Sequence, residues 1–562
     1  MTTNNIKQYL MGFLVSCGTA AALSGLVSCS DWDDHYEDMA KNEAASQSSL
    51  WEVMQQHPEL SDFREVLSKT EIYRHNKKTG INYAQLLDGS QAFTVMAPVN
   101  GQFDKDALLQ LVETTQGDSI VESNFVKNQL SNNVVGSTAD STSFFLLNGK
   151  KAYIYQGKII DTPISEGKAN IKARGGVLHI LDKPLTYRNN LYEAILNLPQ
   201  FSKAGQQLKS YEKEIFQPSL SIEGDIVDGE QIYIDSVFSK SNILLGTTSG
   251  MMYEDSTAYM VMCTDNEFQR VWEEAMSFYK YDETVGGADS LQRLYANQSL
   301  LSDAYFSTTI QAKPKDSLIT YAYNKRYPQY HVFHKPFDEG GIFYGATPID
   351  CSNGTLYQTD KWPFTPQMTY QRELRSEGEY TNLILNSEKD GKYSRSTHML
   401  VADSISENAY MEINPNPASA SWNITYKLEN TLSGAYDICA IILPYTVLEP
   451  EATDIRPNKF KVALNYVNEK GEEVKKEIKD IDEKDGKEKT KNFTNNPYAV
   501  DTVVLAENFV FPTCNYMQEN TKVSITLTDV VSKGDLQKKT HTKKLFLDCI
   551  YLRPKGMVKP EE

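Results

Sequence analysis

Phe93 to Phe103 reads FTVMAPVNGQF, and the fold of the first half of the chain follows from how it is parsed. Phe93, Val95 and the apolar residues around them read as a buried strand, Pro98 stops it, and Asn100 stands where a helix N-cap belongs. The stretch predicts a strand that turns directly into a helix. The same grammar returns at Ala258 to Phe268, AYMVMCTDNEF, with Asp265 in the place of Asn100 and Phe268 in the place of Phe103, 165 residues further on.

Three more markers make this an internal repeat, which must be read before anything else. Leu50-Trp51-Glu52 with Pro58 and Ser61 answers to Leu191-Tyr192-Glu193 with Pro199 and Ser202 at an offset of 141. Asn128-Gln129 answers to Asn297-Gln298 at 169, and Gly176-Val177-Leu178-His179 with Asp182 to Gly354-Thr355-Leu356-Tyr357 with Asp360 at 178. The offsets only grow, so the second copy carries insertions. The largest adds 24 residues between Pro199 and Ala258 and is expected in the polar, strand-like stretch Leu220 to Leu244.

FTVMAPVNGQF, FVKNQL, LNGKK and NIKARGGVLHILDKPL, in that order, resemble a fasciclin domain over residues 49–187. Residues 188–369 resemble a degenerate second one, in which Cys263 replaces the proline and Tyr357 the histidine. The resemblance implies an α+β domain, a helical bundle packed on a small β-sandwich, used for adhesion or interaction rather than catalysis. The family often has a histidine in its middle helix where this chain has Asn128-Gln129 and Asn297-Gln298, so animal-type adhesion is not carried over. His179 matches the histidine of the family's final strand and reads as hydrogen-bonded core.

Residues 370–562 change to short alternating strands. Trp422, Ile424, Tyr426 and Leu428 fall on one face, with Ser421, Asn423, Thr425 and Lys427 on the other. AYDICAIILP, FKVALNYV and KKLFLDCIYLRP continue the pattern, and the whole resembles a jelly-roll sandwich of the galactose-binding-like type shared by several carbohydrate-binding modules. The fold class expected is therefore multidomain, two α+β fasciclin-like domains followed by an all-β jelly-roll-like sandwich. Some 190 residues exceed what one core needs, so the sandwich is expected to fold alone.

Residues 1–28 have the layout of an export signal. Leu26-Val27-Ser28-Cys29 resembles the lipobox of bacterial lipoproteins, which makes Cys29 the lipidation site. An earlier LVSC ending at Cys17 would leave too short an apolar run. Residues 29–48 form an acidic tether, and SDWDDHYED resembles the surface-export signal of lipoproteins from glycan-degrading gut bacteria. The address expected is the outer membrane, lipid-anchored and facing outward.

The 562 residues are 40% hydrophobic and 11% aromatic, as in a folded protein, and the net charge of -18 argues against nucleic acid as a partner. No HExxH, GxSxG, phosphate-cradling glycine loop or CxxC is present, so no enzyme, cofactor or metal is read from the motifs. His331 and His334 point to opposite faces of a strand. The charged run Asn468 to Lys491 reads as a solvated hairpin. Of the five cysteines left in the mature chain, Cys439 and Cys549 are a conceivable disulfide. Aromatic residues crowd Tyr321 to Tyr370, mostly as sheet core. Tyr327, Tyr330 and Trp362, beside Arg, Pro, Gln and Lys, are the candidates for stacking on a ligand. Together these features suggest a surface lipoprotein that binds a glycan, protein or peptide without catalysis. It would serve a TonB-dependent SusC/SusD-type uptake complex, with the transporter and its SusD-like lipoprotein as partners. The other reading is an adhesin for host matrix or other cells.

Overall fold

The computed structural model describes residues 48–556 apart from 75–76, 139, 221, 228–229, 236–237, 309–315, 321–330, 386–392, 454 and 482–485. It is mixed α/β in its first two units and β-rich in the third. Among the described residues, no helix is long and apolar enough to cross a membrane.

The strand Phe93–Pro98 is buried along its whole length because it has cover on both faces. It runs parallel to Gly176–Leu181, with Phe93 opposite Gly176 and Pro98 opposite Leu181. Phe93, Val95 and Ala97 face a helical layer led by Leu50, Phe63 and Val66, whereas Met96 faces a second, four-stranded meander through Phe144, Ile154 and Ile159. In the second unit Ala258–Cys263 runs parallel to Gly354–Thr359 in the same register, Ala258 opposite Gly354. The helices correspond as well. Leu50–Gln55 opens with a capping box between Ser49 and Glu52, and Leu191–Asn197 with one between Asn190 and Glu193. The expected insertion is found as the antiparallel pair Ile222–Val227 and Glu230–Asp235, set between Glu212–Phe216 and Phe238–Asn242, which pair as Glu71–Arg74 and Lys77–Asn82 do in the first unit.

One detail of the opening stretch is corrected. Asn100 does not cap the helix that follows it; Lys105–Val112 is capped by Asp104, whose Oδ1 accepts from the backbone N–H of Ala107 at 3.0 Å. Asn100 instead caps Ser61–Lys69, its Oδ1 accepting from Asp62 N–H at 2.9 Å and its Nδ2 donating to Ser61 Oγ at 2.9 Å. Asp265 does the same for Ser202–Ser210, accepting from Lys203 N–H at 2.8 Å and from the Ser202 hydroxyl. Local spacing could not show this, because the preceding helix comes into reach only when the strand is placed beside it.

The third unit packs the sheet Tyr393–Met399, Ala409–Pro415, Leu545–Pro554, Gly434–Ile442 and Asp501–Phe511, with Leu374–Glu377 added to Leu545–Pro554, against a second sheet centred on Lys459–Val467 and Ser524–Asp529. Trp422, Ile424, Tyr426 and Leu428 all point into the core between them. The run after Asn468 is antiparallel, pairing Lys479–Ile481 with Glu488–Thr490, as expected of a hairpin; Asp482 and Asp485 lie outside the described residues.

The units are not separate beads. Lys150, 5% exposed, leaves the first unit to meet Glu193 Oε2 at 2.5 Å and Glu254 Oε1 at 2.7 Å in the second. The sandwich shares core with the second unit: Leu432 and Cys514 belong to the cluster built on Met260, Tyr279 and Tyr305. Tyr516 packs edge-on against Tyr279 at 5.2 Å and Tyr295 at 4.9 Å, and Tyr281 Oη donates to Tyr516 O at 2.9 Å. Backbone bonds seal the seam, Cys514 N–H to Lys280 O at 2.7 Å and Ser433 N–H to Phe278 O at 2.9 Å. Part of the sandwich's surface is thus a tyrosine seam whose other half lies before residue 370.

Candidate functional site

Of the residues named from sequence, Cys29, Tyr327 and Tyr330 lie outside the described residues. Trp362 sits half-buried on the second unit's core, its ring edge-on to Phe364 at 5.2 Å and its backbone N–H donating to Glu267 Oε1 at 3.1 Å. His179 is fully buried; its Nε2 lies 2.9 Å from Val135 O, its Nδ1 accepts from Asn170 N–H at 3.3 Å, and burial lowers its pKa. His331 and His334 take separate partners, Asp303 and Ser317. All five described cysteines are free and buried, and Cys439 stands opposite Tyr551, leaving Cys549 on the diagonal.

The arrangement with chemical potential is on the outer face of the sandwich's six-stranded sheet. Alternation along Gly434–Ile442 sends Ile438, Ala440 and Ile442 inward and leaves Cys439 and Ile441 outward. Arg375, opposite Tyr551, joins that outer face. The segment around Asp403–Ser406 folds across it and closes a cleft of about 380 Å³, lined by Arg375, Asp403, Ser404, Ser406, Ile441 and Thr502 among others. Arg375 donates from Nε to Glu373 Oε1 at 2.9 Å and from Nη1 to Ser406 Oγ at 3.1 Å, so it holds one wall in place.

Behind Ser406 lies a cluster of buried acids. The Ser406 hydroxyl donates to Glu377 Oε1 at 2.9 Å, and its backbone N–H reaches both oxygens of Asp548 at 3.1 and 3.2 Å. Asp548 is fully buried and Glu377 is 7% exposed. Among the described residues, Glu377 Oε2 and both carboxylate oxygens of Glu379 have no hydrogen-bond partner. Burial, reinforced by the neighbouring carboxylates, pushes Glu377 and Glu379 up to about 7, and burial pushes Asp548 up to about 6. One ligand atom each from Glu377, Asp548 and Cys549 lies within 4.8 Å of the others. Burial also raises the Cys549 thiol well above its ordinary value, which leaves the oxygens of Glu377 and Asp548 as the donors a hard divalent cation such as calcium would meet there. The sequence carried a signal for this cluster that motif searching passed over: a lone Asp548 inside the apolar run LFLDCIYL, and two acids one residue apart in Glu377-Gly378-Glu379.

A larger hollow of about 660 Å³ is formed by His334, Lys335, Phe337, Asp338 and their neighbours up to Tyr344. It belongs to one loop, whereas the sandwich cleft gathers side chains from distant segments onto a rigid sheet. The second arrangement is the better platform for selective binding.

Neither a protein-family model nor a curated protein matches the chain. Solved structures similar to it include a FAS1 domain pair from the insect cell adhesion molecule fasciclin I, at 9% identity over 56% of this chain and 99% of that one, with a TM-score of 0.19. Another is the C-terminal family 22 carbohydrate binding module of Clostridium thermocellum Xyn10B, at 12% identity over 33% of this chain and 94% of that one, TM-score 0.21. A longer piece of the same bacterium's xylanase, carrying CBM22-1 and GH10 modules, matches at 13% identity over 33% of this chain and only 29% of that one, TM-score 0.19. At such values the functional reading has to stand on this chain's own residues.

Proposed function

We propose that the chain is a lipid-anchored outer-membrane protein, exposed on the cell surface, that captures a glycan or peptide without transforming it and serves a TonB-dependent SusC/SusD-type transporter. The observation that carries the binding reading is the cleft over the six-stranded sheet. An aliphatic floor at Ile441 with hydroxyls at Ser404, Ser406 and Thr502 and opposite charges on Arg375 and Asp403 suits a polyhydroxylated ligand, which needs many directional bonds and a little apolar contact. Hydrolysis of a glycoside would need two carboxyl groups reaching the sugar from opposite sides. Here Asp403 lines the cleft, while Glu377 and Asp548 are shut behind Ser406, where they brace the wall. The anchoring and the transporter partnership rest on Cys29 and the acidic residues after it.

The test is twofold. The purified chain is titrated with a panel of plant and host oligosaccharides and with short peptides, alongside Arg375→Ala; micromolar to millimolar binding, about 4 to 8 kcal/mol, that the substitution weakens is expected. A tagged copy is also recovered from outer membranes, where a transporter and its lid lipoprotein should come with it. No ligand in either class, or recovery without a transporter, would overturn the corresponding half of the proposal.

A further inference from the structure

The meander of the first unit, Thr142–Phe145, Lys151–Tyr155, Lys158–Ile159 and Thr162–Pro163, buries one face and leaves the other open. Phe144, Ala152, Ile154 and Ile159 go inward. Phe145, Tyr153 and Tyr155 go outward, at 45%, 45% and 43% exposure, with Lys151 and Lys158 exposed among them. Cross-strand pairing sets Phe145 opposite Lys151, Ser143 opposite Tyr153 and Tyr155 opposite Lys158. Each of three successive rungs, about 7 Å apart, therefore presents one ring, and the two outer rungs also present a lysine. Neither lysine is ion-paired among the described residues, and Asp161, in the next turn, is engaged by Arg188 at 2.6 Å. The turn that ends at Lys150 is clamped to the second unit, so the face is held rigidly.

We propose that this face binds an unbranched anionic polysaccharide, one rich in uronic acids, with the rings stacked on successive sugar faces and Lys151 and Lys158 meeting the carboxylates. Charge selects the ligand. On a chain of net charge -18 most of the surface repels an acidic polymer, and it can settle only where cations are unpaired. Size selects it too: three rungs offer far less than the roughly 800 Å² a stable protein partner occupies, but suit a narrow extended chain. The face carries rings, lysines and a serine, with Pro163 opposite Lys158 at its edge, which is the chemistry of a ligand with C–H faces and charged edges. Strand propensity alone would favour aromatic residues here, but threonine or valine would serve it as well and would not ask for a lysine opposite two of the three rings.

The purified chain is titrated with a galacturonic acid hexamer, with maltohexaose and with poly-L-glutamate, at low and high salt. The hexamer should bind best and weaken with salt. Tyr153→Ala and Tyr155→Ala should each weaken it about tenfold, and the Lys151→Ala/Lys158→Ala pair should remove the salt dependence. All four side chains are exposed, so the melting temperature should barely move, and Arg375→Ala in the sandwich cleft should leave this binding intact. The proposal falls if the hexamer does not bind, if the ring substitutions leave its affinity unchanged, or if poly-L-glutamate binds as tightly, which would make the face a site for acidic peptides.

Discussion

Asn100 Oδ1 accepts the backbone N–H of Asp62 at 2.9 Å across 38 residues of chain, so the loop after the central strand closes the end of a helix made much earlier. Asn100→Ala is expected to cost about 1 kcal/mol, the usual loss for a helix cap, and Asn100→Asp much less, since Asp265 fills the same role in the second unit. Urea unfolding of the three chains checks the order.

Lys150 is a single cation between two carboxylates that belong to the next unit. Lys150→Met would leave Glu254, one of whose oxygens already lacks a partner among the described residues, buried beside Glu193. A loss of about 2 to 3 kcal/mol is expected, less than for a fully buried pair because Glu193 is partly exposed. Limited proteolysis should then cut more readily between the first two units than in the parent chain.

The hydrogen bonds of His179 fix its tautomer: Nε2 carries the proton toward Val135 O, and Nδ1 must stay bare to accept from Asn170. In the fold its pKa lies below the unfolded value of 6.5, so below that pH the unfolded chain binds more protons than the folded one. Stability should therefore fall as the pH drops through 6.5 toward the lowered folded value. His179→Gln should be less stable near pH 8 and should flatten that part of the pH profile, read by thermal melts between pH 5 and 8.

For the acids behind Ser406, adding millimolar calcium to chelator-treated protein at pH 7.5 should raise the melting temperature, through binding to the folded state alone. Glu377→Gln should abolish the rise. Identical melts with calcium and with chelator would mean that the acids serve only as braces for the cleft wall.

Residues 370–562 produced alone should expose Tyr516, Cys514 and Leu432, which the second unit covers. The fragment is expected to melt lower than in the full chain and to self-associate on concentration. Residues 188–562 keep the seam covered and should not self-associate, as sedimentation of the two fragments would show.

The strand pair and its repeat were legible because they rest on strict local patterns, an apolar run, a proline stop and a glycine before the partner strand. The inward face of the sandwich was legible for the same reason, since Trp422 to Leu428 alternate without a break. What the sequence hid was contact at a distance. Asn100 sits just before a helix it does not cap, and Tyr279, Tyr281, Tyr295 and Tyr516, far apart in the chain, meet in a seam between units that no local pattern announces. The cleft was hidden too, because Arg375, Ser406 and Thr502 mean nothing apart until the sheet brings them together.

The shared register of the two parallel strand pairs also bears on ancestry. A Cβ on Gly176 would lie 2.4 Å from Phe93 O, and one on Gly354 would lie 1.9 Å from Ala258 O, so each copy tolerates only hydrogen at the same point. The units differ at many other points, with Pro98 against Cys263 and His179 against Tyr357, yet this close approach of strand to glycine is common to both. A missing Cβ constrains a single point of the sheet and leaves the faces around it open to substitution. A lineage that keeps the glycine and the strand beside it is free to use the rest of the domain as raw material for new surfaces.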